Sequence, residues 1–358
     1  MRVRLLDLGL VPYVESQTIY HGVAYALGKD SPNTISLMSP DSPYFCIGFH
    51  QQMEKEVDLE YCNAHQLPVL RREVGGGAVY LDSGQMFVHF IFHREDLPRQ
   101  VEELYKLFIR PLVETYRGFG IQAEHRPLND IVVGGQKIGG TGIAAIGEAI
   151  VVVGSVMFDF DTETMAHALR VSSEKMRDKV YQGLQDYMTT MKRELGVPAP
   201  RNEVKAALIA NLGKSLGVHV EPGALTTEER KTIRGLNRRF VSRRWLHQKG
   251  GIATRGIKIR GDVSVVEAEH KAPGGLIRVT ARLSNGLIDD LSISGDFTVQ
   301  PAAAVAGLES ALRGQPVDEA KLAGVVQDFY TANNVDAPGL SPEDVAHALS
   351  LLAETAPA

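Results

Sequence analysis

The chain has 358 residues, of which 38 are basic and 43 are acidic, so its formal net charge is -5. A chain of this length usually divides, and we expect one large domain and one smaller domain. Hydrophobic residues make up 44% and charged residues 23%, proportions typical of a globular protein. The net negative charge argues against a nucleic-acid partner.

The cysteines and the apolar segments indicate the compartment. Cys46 and Cys62 have neither the spacing of a disulfide framework nor that of a zinc site, which fits a reducing environment. The opening MRVRLLDLGLVPY lacks the apolar core of a signal peptide. The most apolar run, 149–158, is too short to cross a membrane. We therefore expect a cytoplasmic protein without membrane contact, and a buried strand at 149–158.

The first 250 residues alternate between β-rich runs and helical patterns. Residues 14–27 predict an amphipathic helix, and 101–120 predict a second helix with a kink at Pro111. Residues 129–147 and 148–161 read as consecutive strands. Further helices are predicted at 162–196, 200–217 and 226–245. Five short β-rich runs are expected to form one sheet: 34–40, 43–49, 67–73, 77–82 and 85–94.

A glycine-rich polar segment, HQKGGIATRG at 247–256, predicts the boundary between the domains. Beyond it, three β-rich runs and an Asn285-Gly286 hairpin signal precede two predicted helices and a frayed tail. We therefore predict an α+β protein. Its catalytic domain, 1–247, has a mixed β-sheet flanked by helices, and its small α+β C-terminal domain spans 256–358.

Two glycine-rich segments carry candidate chemistry. In the first, Gly75, Gly76 and Gly77 can bring several backbone N–H groups close to one anion, and Arg71 and Arg72 precede them with charge for a phosphate or carboxylate. The alternative is a glycine-rich hairpin with solvated arginines. This segment alone does not decide between the two.

The second segment is NDIVVGGQKIGGTG, residues 129–142. Asp130 can ligate a Mg²⁺ ion that is bound mainly by substrate phosphates. Lys137 has glycine pairs on both sides, so its ammonium can reach into a cleft. The ordinary alternatives are an exposed turn aspartate and a solvated surface lysine.

Other motifs are weaker. Residues 140–145 match the dinucleotide fingerprint G-x-G-x-x-A, but the β-branched run that follows is not the required helix. The chain has no P-loop motif, and its histidines lack metal-ligand spacing. We expect His89 at the edge of the core. Neither cysteine stands in a recognisable nucleophile setting.

The order of these segments resembles a known family. PYFCIGFHQQMEKEV, RREVGGGAVYLDSGQ, NDIVVGGQKIGGTG and VGSVMFDFD follow one another as in the catalytic domain of lipoate-protein ligases, within the biotin and lipoate protein ligase family. The segment HKAPGGLIRVTARLSNGLIDDLSISGDF resembles the accessory domain of those ligases. The resemblance covers nearly the whole chain and implies the mixed-sheet fold of that family.

The resemblance also implies an activity. Lipoate and Mg·ATP give lipoyl-AMP and pyrophosphate, and a lysine of an acceptor protein then takes the lipoyl group. Lys137 matches the essential lysine and would bridge the carboxylate and the α-phosphate, where charge accumulates. One such contact is worth at most about 4 kcal/mol near 4 Å at an effective dielectric of about 20.

The cofactors implied are ATP and Mg²⁺, and the lipoyl tail would lie in an apolar tunnel. Asp130, together with the ATP phosphates, would ligate Mg²⁺. Val79 and Tyr80 would offer backbone groups to the adenine. Carried over residue by residue, the lipoyl-AMP site comprises Arg72, Val74, Gly75, Gly76, Gly77, Val79, Tyr80, Asn129, Asp130, Gly140, Thr141, Gly154 and Ser155.

Three positions depart from the family pattern. Leu81 and Val153 stand where histidines are usual, and Val74 stands where a small polar residue is usual. These departures bear on acyl preference and on the acceptor, which we expect to be a lipoyl domain or an H-protein-like carrier.

The alternatives to a lipoate-protein ligase are an octanoyltransferase, which uses a cysteine and no ATP, a catalytically silent carrier binder, and a biotin ligase. Basic stretches such as RRFVSRRW are candidate acceptor contacts or simply a solvated face. We expect a monomer.

Overall fold

The computed structural model describes residues 1–249, 257–260 and 263–355. They divide into two compact units. The first contains residues 1–46, 57–70 and 79–242, and the second contains 47–56, 71–78 and the chain from Arg243 onward. The predicted boundary at 247–256 lies mostly outside the described residues, since 250–256 are not among them. The domain limits 1–247 and 256–358 stay a prediction.

The described residues form sixteen strands and fourteen helices. The strands are β1 Arg2–Val11, β2 Thr34–Pro40, β3 Tyr44–Ile47, β4 Val69–Arg71, β5 Val79–Leu81, β6 Gln85–His93, β7 Ala123–Arg126, β8 Asp130–Val133, β9 Gln136–Gly140, β10 Gly142–Ile146, β11 Ala149–Met157, β12 His219–Pro222, β13 Ile257–Arg260, β14 Val263–Ala272, β15 Gly275–Ser284 and β16 Leu287–Gly295. The helices are α1 Glu15–Tyr25, α2 Met53–Glu56, α3 Leu59–Ala64, α4 Val101–Gly118, α5 Thr162–Ala168, α6 Glu174–Tyr187, α7 Met191–Leu195, α8 Arg201–Leu216, α9 Thr227–Phe240, α10 Arg243–Leu246, α11 Ala304–Leu312, α12 Glu319–Ala332, α13 Pro342–Ser350 and α14 Leu352–Thr355.

A six-stranded sheet is the centre of the first unit. Its strand order is β10-β11-β6-β2-β1-β12. β1 pairs in parallel with both β2 and β12, whereas the other pairs are antiparallel, so the sheet is mixed as predicted. The run 149–158 lies in β11 and forms a buried strand for most of its length, also as predicted. Strands β1 and β12 are not among the predicted elements, and the predicted helix at 101–120 is α4, with Pro111 inside it.

Helices pack on this sheet through two apolar clusters. One joins α4 and α8 to sheet residues such as Leu5, Val88 and Phe90. The other joins Ile19 of α1 and Ile233 of α9 to sheet residues including Phe87. His89, on the same strand β6, is fully buried, and its Nδ1 lies 3.0 Å from Ser36 Oγ. The histidine therefore belongs to the core.

The five β-rich runs do not form one sheet, contrary to the prediction. Only β2 and β6 belong to the six-stranded sheet, whereas β4, β3 and β5 form a separate three-stranded sheet. A further antiparallel sheet, β7-β8-β9, follows α4. Alternating hydrophobicity identified the strands but does not specify their partners, because pairing depends on contacts that are distant in sequence.

The second unit contains the four-stranded antiparallel sheet β13-β14-β15-β16. β15 and β16 are joined at Asn285 and Gly286, both with positive φ (51° and 76°), as the hairpin signal predicts. Four helices, α11 to α14, follow the sheet, where two were predicted. None of the described helices in either unit is long and apolar enough to span a membrane.

Candidate active site

Lys137 lies near the start of β9, immediately after a glycine turn. Gly134 and Gly135 have positive φ (55° and 88°) and let β8 turn tightly into β9. The Lys137 ammonium lies 2.7 Å from Asp130 Oδ1, and its side chain is 27% exposed. The lysine carbonyl accepts a hydrogen bond from Thr189 N at 2.8 Å. The glycines therefore present Lys137 as a held but accessible cation and not as a fully solvated one.

Asp130 is the meeting point of three donors. Its Oδ1 contacts Lys137, and its Oδ2 accepts hydrogen bonds from Arg126 Nη2 at 2.7 Å and from the Tyr187 hydroxyl at 3.2 Å. Burial by itself raises the pKa of this carboxyl, but Lys137 and Arg126 outweigh burial and lower the pKa below its ordinary value. Asp130 is therefore a carboxylate that is oriented from both sides.

Gly140 leaves room for the lysine. A Cβ added at Gly140 would lie 2.9 Å from both Cε and Nζ of Lys137. Ordinary van der Waals contact begins at 3.4 Å, so no larger residue fits unless the ammonium moves. The same imagined Cβ lies 3.9 Å from Asp130 Oδ1. The absence of a side chain at 140 thus sets the position of the Lys137 and Asp130 pair.

Asn129, Thr141, Gly154 and Ser155 lie around this hairpin. Asn129 Nδ2 donates to the Thr141 carbonyl at 2.6 Å, and Thr141 donates to the Asn129 carbonyl from both N and Oγ1. A Cβ at Gly154 would lie 3.1 Å from Thr141 Cγ2, and the carbonyl of Ser155 lies 3.4 Å from one added at Gly139. The structure therefore brings β11 against the segment that carries Lys137.

Val79 and Tyr80 lie on β5, in a different sheet from Lys137. Tyr80 is buried, and its ring meets Phe160 edge to face with centroids 6.1 Å apart. Its carbonyl accepts a hydrogen bond from Gln85 Nε2 at 3.1 Å. Desolvation raises the pKa of the Tyr80 phenol, so it stays neutral. That β5 offers backbone groups to an adenine stays a prediction.

The triple glycine belongs to the second unit. Arg72 Nη2 donates to the carbonyls of Gly75 and Gly77, each at 2.8 Å, so the guanidinium ties the loop across its turn. Gly76 has φ 88° and its N–H points to the Phe297 carbonyl at 3.3 Å. Val74 is completely buried. Lys137 belongs to the first unit, so joint action of the two segments on one ligand stays a prediction.

Arg71 has a structural role, contrary to the expectation that it supplies charge to a ligand. It is completely buried. Its guanidinium donates to the carbonyls of Gly48, Phe49 and Gln51 and to those of Trp245 and Leu246. Its own carbonyl accepts a hydrogen bond from Trp245 Nε1 at 2.9 Å. Because its guanidinium is hydrogen-bonded to backbone carbonyls, Arg71 cross-links separate segments of the second unit.

Sequence reasoning missed Arg126 and Tyr187. Arg126 ends β7 and Tyr187 ends α6, so 61 residues separate the two side chains that meet at Asp130. Arg126 and Asp130 are four residues apart, the spacing of an ion pair on a helix, but here they face each other across a β-hairpin. No local pattern points to Tyr187.

The rejected motifs also have a structural outcome. Residues 140–145 lie at the end of β9 and in β10, and β11 follows, so no helix succeeds the apparent dinucleotide fingerprint. The prediction that strands and not a helix follow this motif is therefore confirmed. Within the described ranges, no group of three or more His, Cys, Asp or Glu is placed to hold a metal ion.

A magnesium ion brought by a nucleotide nevertheless fits Asp130. A carboxylate offers about four lone-pair directions, and Asp130 uses three of them for its hydrogen bonds. The protein would therefore contribute one carboxylate oxygen, and phosphates and water would complete the coordination.

Comparisons with known proteins define the class. Residues 17–213 match the model of the lipoyl protein ligase A/B catalytic domain, and residues 265–349 match that of the bacterial lipoate protein ligase C-terminus. The chain therefore belongs to the lipoyl protein ligase A/B family and carries the C-terminal domain of the bacterial ligases. It is an enzyme of this lipoyl ligase and transferase family, which agrees with the resemblance in its motifs.

Individual relatives include both octanoyltransferases and lipoate-protein ligases. Octanoyltransferase LipM of Kyrpidia tusciae is 28% identical over 250 residues, covering 63% of this chain and 91% of that protein. Lipoate–protein ligase 1 of Staphylococcus aureus is also 28% identical, over 273 residues, covering 76% and 78%. A solved bi-partite lipoate protein ligase from Thermoplasma acidophilum, described with its E2 lipoyl domain, has a TM-score of 0.64 at 23% identity. It covers 71% of this chain and 100% of that chain, and it supports the fold alone.

Proposed function

We propose that this protein is an ATP-dependent lipoate-protein ligase. It activates lipoate with Mg·ATP to lipoyl-AMP and transfers the lipoyl group to a lysine of an acceptor protein. The observation that carries the proposal is the Lys137 ammonium, which lies 2.7 Å from Asp130 Oδ1 in the space left by the missing side chain of Gly140. A fixed cation of this kind stabilises charge that develops on a phosphoryl group.

The chemistry follows from the charges. Attack of a carboxylate oxygen on the α-phosphate brings two anionic groups together, and expulsion of pyrophosphate releases further negative charge. Lys137 would lie between the two groups and offset their repulsion. Asp130 would keep the ammonium oriented before substrates bind and would contribute one oxygen to the magnesium ion of the substrate. In the second step the same ammonium would stabilise the leaving AMP.

The cysteines favour a ligase over an octanoyltransferase. An octanoyltransferase of this fold uses a cysteine to carry the acyl group, and this chain has only Cys46 and Cys62. Cys46 is completely buried within β3. Burial, with a contribution from Asp58, raises the pKa of the Cys62 thiol to about 11, which leaves little thiolate at neutral pH. Neither thiol is suited to nucleophilic catalysis, whereas adenylation requires none.

The acceptor and the acyl group belong to the proposal as well. The Thermoplasma relative is described with an E2 lipoyl domain, and we take a lipoyl domain or an H-protein-like carrier as the acceptor here. The sequence-based assignments of Arg72, Val74 and Gly75 to Gly77 to lipoyl-AMP stand as predictions.

Lipoate-dependent exchange of pyrophosphate into ATP tests the proposal. We expect exchange in the wild type and a loss of up to about a thousandfold in Lys137→Ala, equivalent to the upper figure of about 4 kcal/mol for one phosphate contact. Lys214→Ala, an exposed lysine on α8, is the matched control and should behave as the wild type.

Three outcomes separate the candidate functions. Exchange that depends on lipoate and Lys137 supports the ligase. Transfer of octanoyl from an octanoylated carrier without ATP would support the transferase of the LipM relative instead. A protein that binds a lipoyl domain but catalyses neither reaction, in the wild type and in Lys137→Ala alike, would be a silent binder. In that case Val74, Leu81 and Val153, which depart from the family pattern, would account for the loss of catalysis.

A further inference from the structure

Arg126 is placed beside Lys137 as a second cation. Its Nη2 donates to Asp130 Oδ2 at 2.7 Å, while Lys137 donates to the other oxygen of the same carboxylate at 2.7 Å. Two cations therefore share one anion, and the three side chains carry a net charge of +1. A carboxylate shared in this way neutralises neither cation completely, so the cluster attracts a further anion.

Tyr187 holds the guanidinium in this position. Its hydroxyl accepts a hydrogen bond from Arg126 Nη2 at 2.8 Å and donates to Asp130 Oδ2 at 3.2 Å. The guanidinium carbon lies 5.5 Å from the centre of the tyrosine ring, which is the range of a cation–π contact. Tyr187 ends α6, so the helix and the β7-β8 hairpin are joined at the arginine.

Part of the guanidinium is available for another partner. The Arg126 side chain is 38% exposed, and its Nη1 makes one long contact, 3.4 Å to the Gly135 carbonyl. A planar guanidinium can grip a phosphate with two parallel hydrogen bonds, whereas an ammonium acts as a point charge. The cluster thus places an ammonium and a guanidinium, the two kinds of phosphate-binding cation, on the two oxygens of one carboxylate.

We propose that Arg126 is a second phosphate-binding residue of the nucleotide site and that Tyr187 is its positioning residue. The inference rests on the proposed function, since it takes the nucleotide to be the Mg·ATP of the adenylation step. Lys137 would serve the α-phosphate and the acyl carboxylate, and Arg126 would serve the phosphates that leave as pyrophosphate. The chemical class of the ligand is therefore a nucleoside triphosphate.

Steady-state exchange kinetics and direct ATP titration of the full chain test this assignment. Arg126→Gln should raise the KM and Kd for ATP by about 10- to 100-fold, the loss of one charge-assisted hydrogen-bond pair, with the KM for lipoate unchanged. Arg126→Lys should recover part of this loss, and Tyr187→Phe should cost about 3- to 10-fold. Arg110→Gln removes an exposed arginine of α4 and is the control.

The outcomes are distinguishable from failure of the proposed function. If the wild type performs exchange but Arg126→Gln keeps the wild-type KM for ATP, the inference is overturned and the ligase proposal stands. An equal rise in the KM values for ATP and lipoate would indicate a purely structural role and would also overturn it. If the wild type neither binds ATP nor performs exchange, both fail together. Should Arg126→Gln not fold, Arg126→Lys and Tyr187→Phe decide by the same criterion.

Discussion

Substitution of Gly140 by alanine should impair catalysis without unfolding the protein. The added methyl would lie 2.9 Å from Cε and Nζ of Lys137, whereas ordinary contact lies between 3.4 and 4 Å. The ammonium must therefore retreat by about 0.5 to 1 Å, and a displacement near 1 Å from productive geometry can cost about a hundredfold in rate. We expect Gly140→Ala to slow pyrophosphate exchange by about 10- to 100-fold.

Stability should respond very differently. The atoms in the way are the far end of a flexible side chain, and alanine also restricts the unfolded chain, which favours folding by about 0.4 to 1 kcal/mol where the backbone is compatible. The free energy of unfolding should thus change by less than about 1 kcal/mol.

The assay is exchange rate alongside thermal unfolding, with Gly235→Ala as the matched control. Gly235 lies within α9, and a Cβ there would meet no atom within 4 Å. That variant should keep full activity and gain slightly in stability because it lies within a helix. Wild-type exchange by a correctly folded Gly140→Ala protein would refute the claim that Lys137 works from its position in this structure.

Two further predictions concern stability. Gly75→Ala places a methyl 2.8 Å from the Phe297 carbonyl oxygen, so the backbone must shift, and the second unit should be destabilised by about 1 to 3 kcal/mol. Gly77→Ala should be tolerated, because the nearest atom to its methyl lies at 3.7 Å. Thermal unfolding measures both variants, and equal melting temperatures would contradict the prediction. Burial, and to a lesser degree His21, lowers the pKa of His89 to about 3. Below pH 6.5, the ordinary pKa of histidine, this side chain takes up a proton in the unfolded chain but stays neutral in the folded one. The free energy of unfolding should therefore fall by up to about 1.4 kcal/mol for each pH unit between about pH 6.5 and pH 3. Urea unfolding against pH should show a shallower slope in His89→Gln, and an unchanged slope would exclude this cause.

Local sequence was sufficient for many of the elements. The β-branched run in β11, the Asn285-Gly286 hairpin and the amphipathic pattern of α4 each identify their structure because their information lies within a few residues. β1 is not apparent in the sequence because its burial does not alternate regularly and its pairing with β2 shifts register between Asp7 and Gly9, and β12 is only four residues long. Sheet membership was also missed, since β3, β4 and β5 have the same character as β2 and β6.

The candidate site divides along the same line. Lys137 and Asp130 are both within one hairpin, so the glycine pattern suggested them together. Arg126 lies only four residues before Asp130, yet nothing in that spacing indicates a shared carboxylate, and Tyr187 arrives from a helix 57 residues later. The structural role of Arg71 is not visible in the sequence for a related reason: its carbonyl partners come from residues 48–51 and 245–246, which local sequence cannot bring together.

The discontinuous second unit has a consequence for any attempt to divide the gene. Because residues 47–56 and 71–78 belong to it, no single cut in the polypeptide releases both units whole. A C-terminal fragment beginning at Arg243 would lack Arg71 and so the donor to its Trp245 and Leu246 carbonyls, and the complementary fragment would carry two segments deprived of their packing partners. Two such halves would have to reconstitute by fragment complementation, in which folding and association occur together, and would not meet as finished modules.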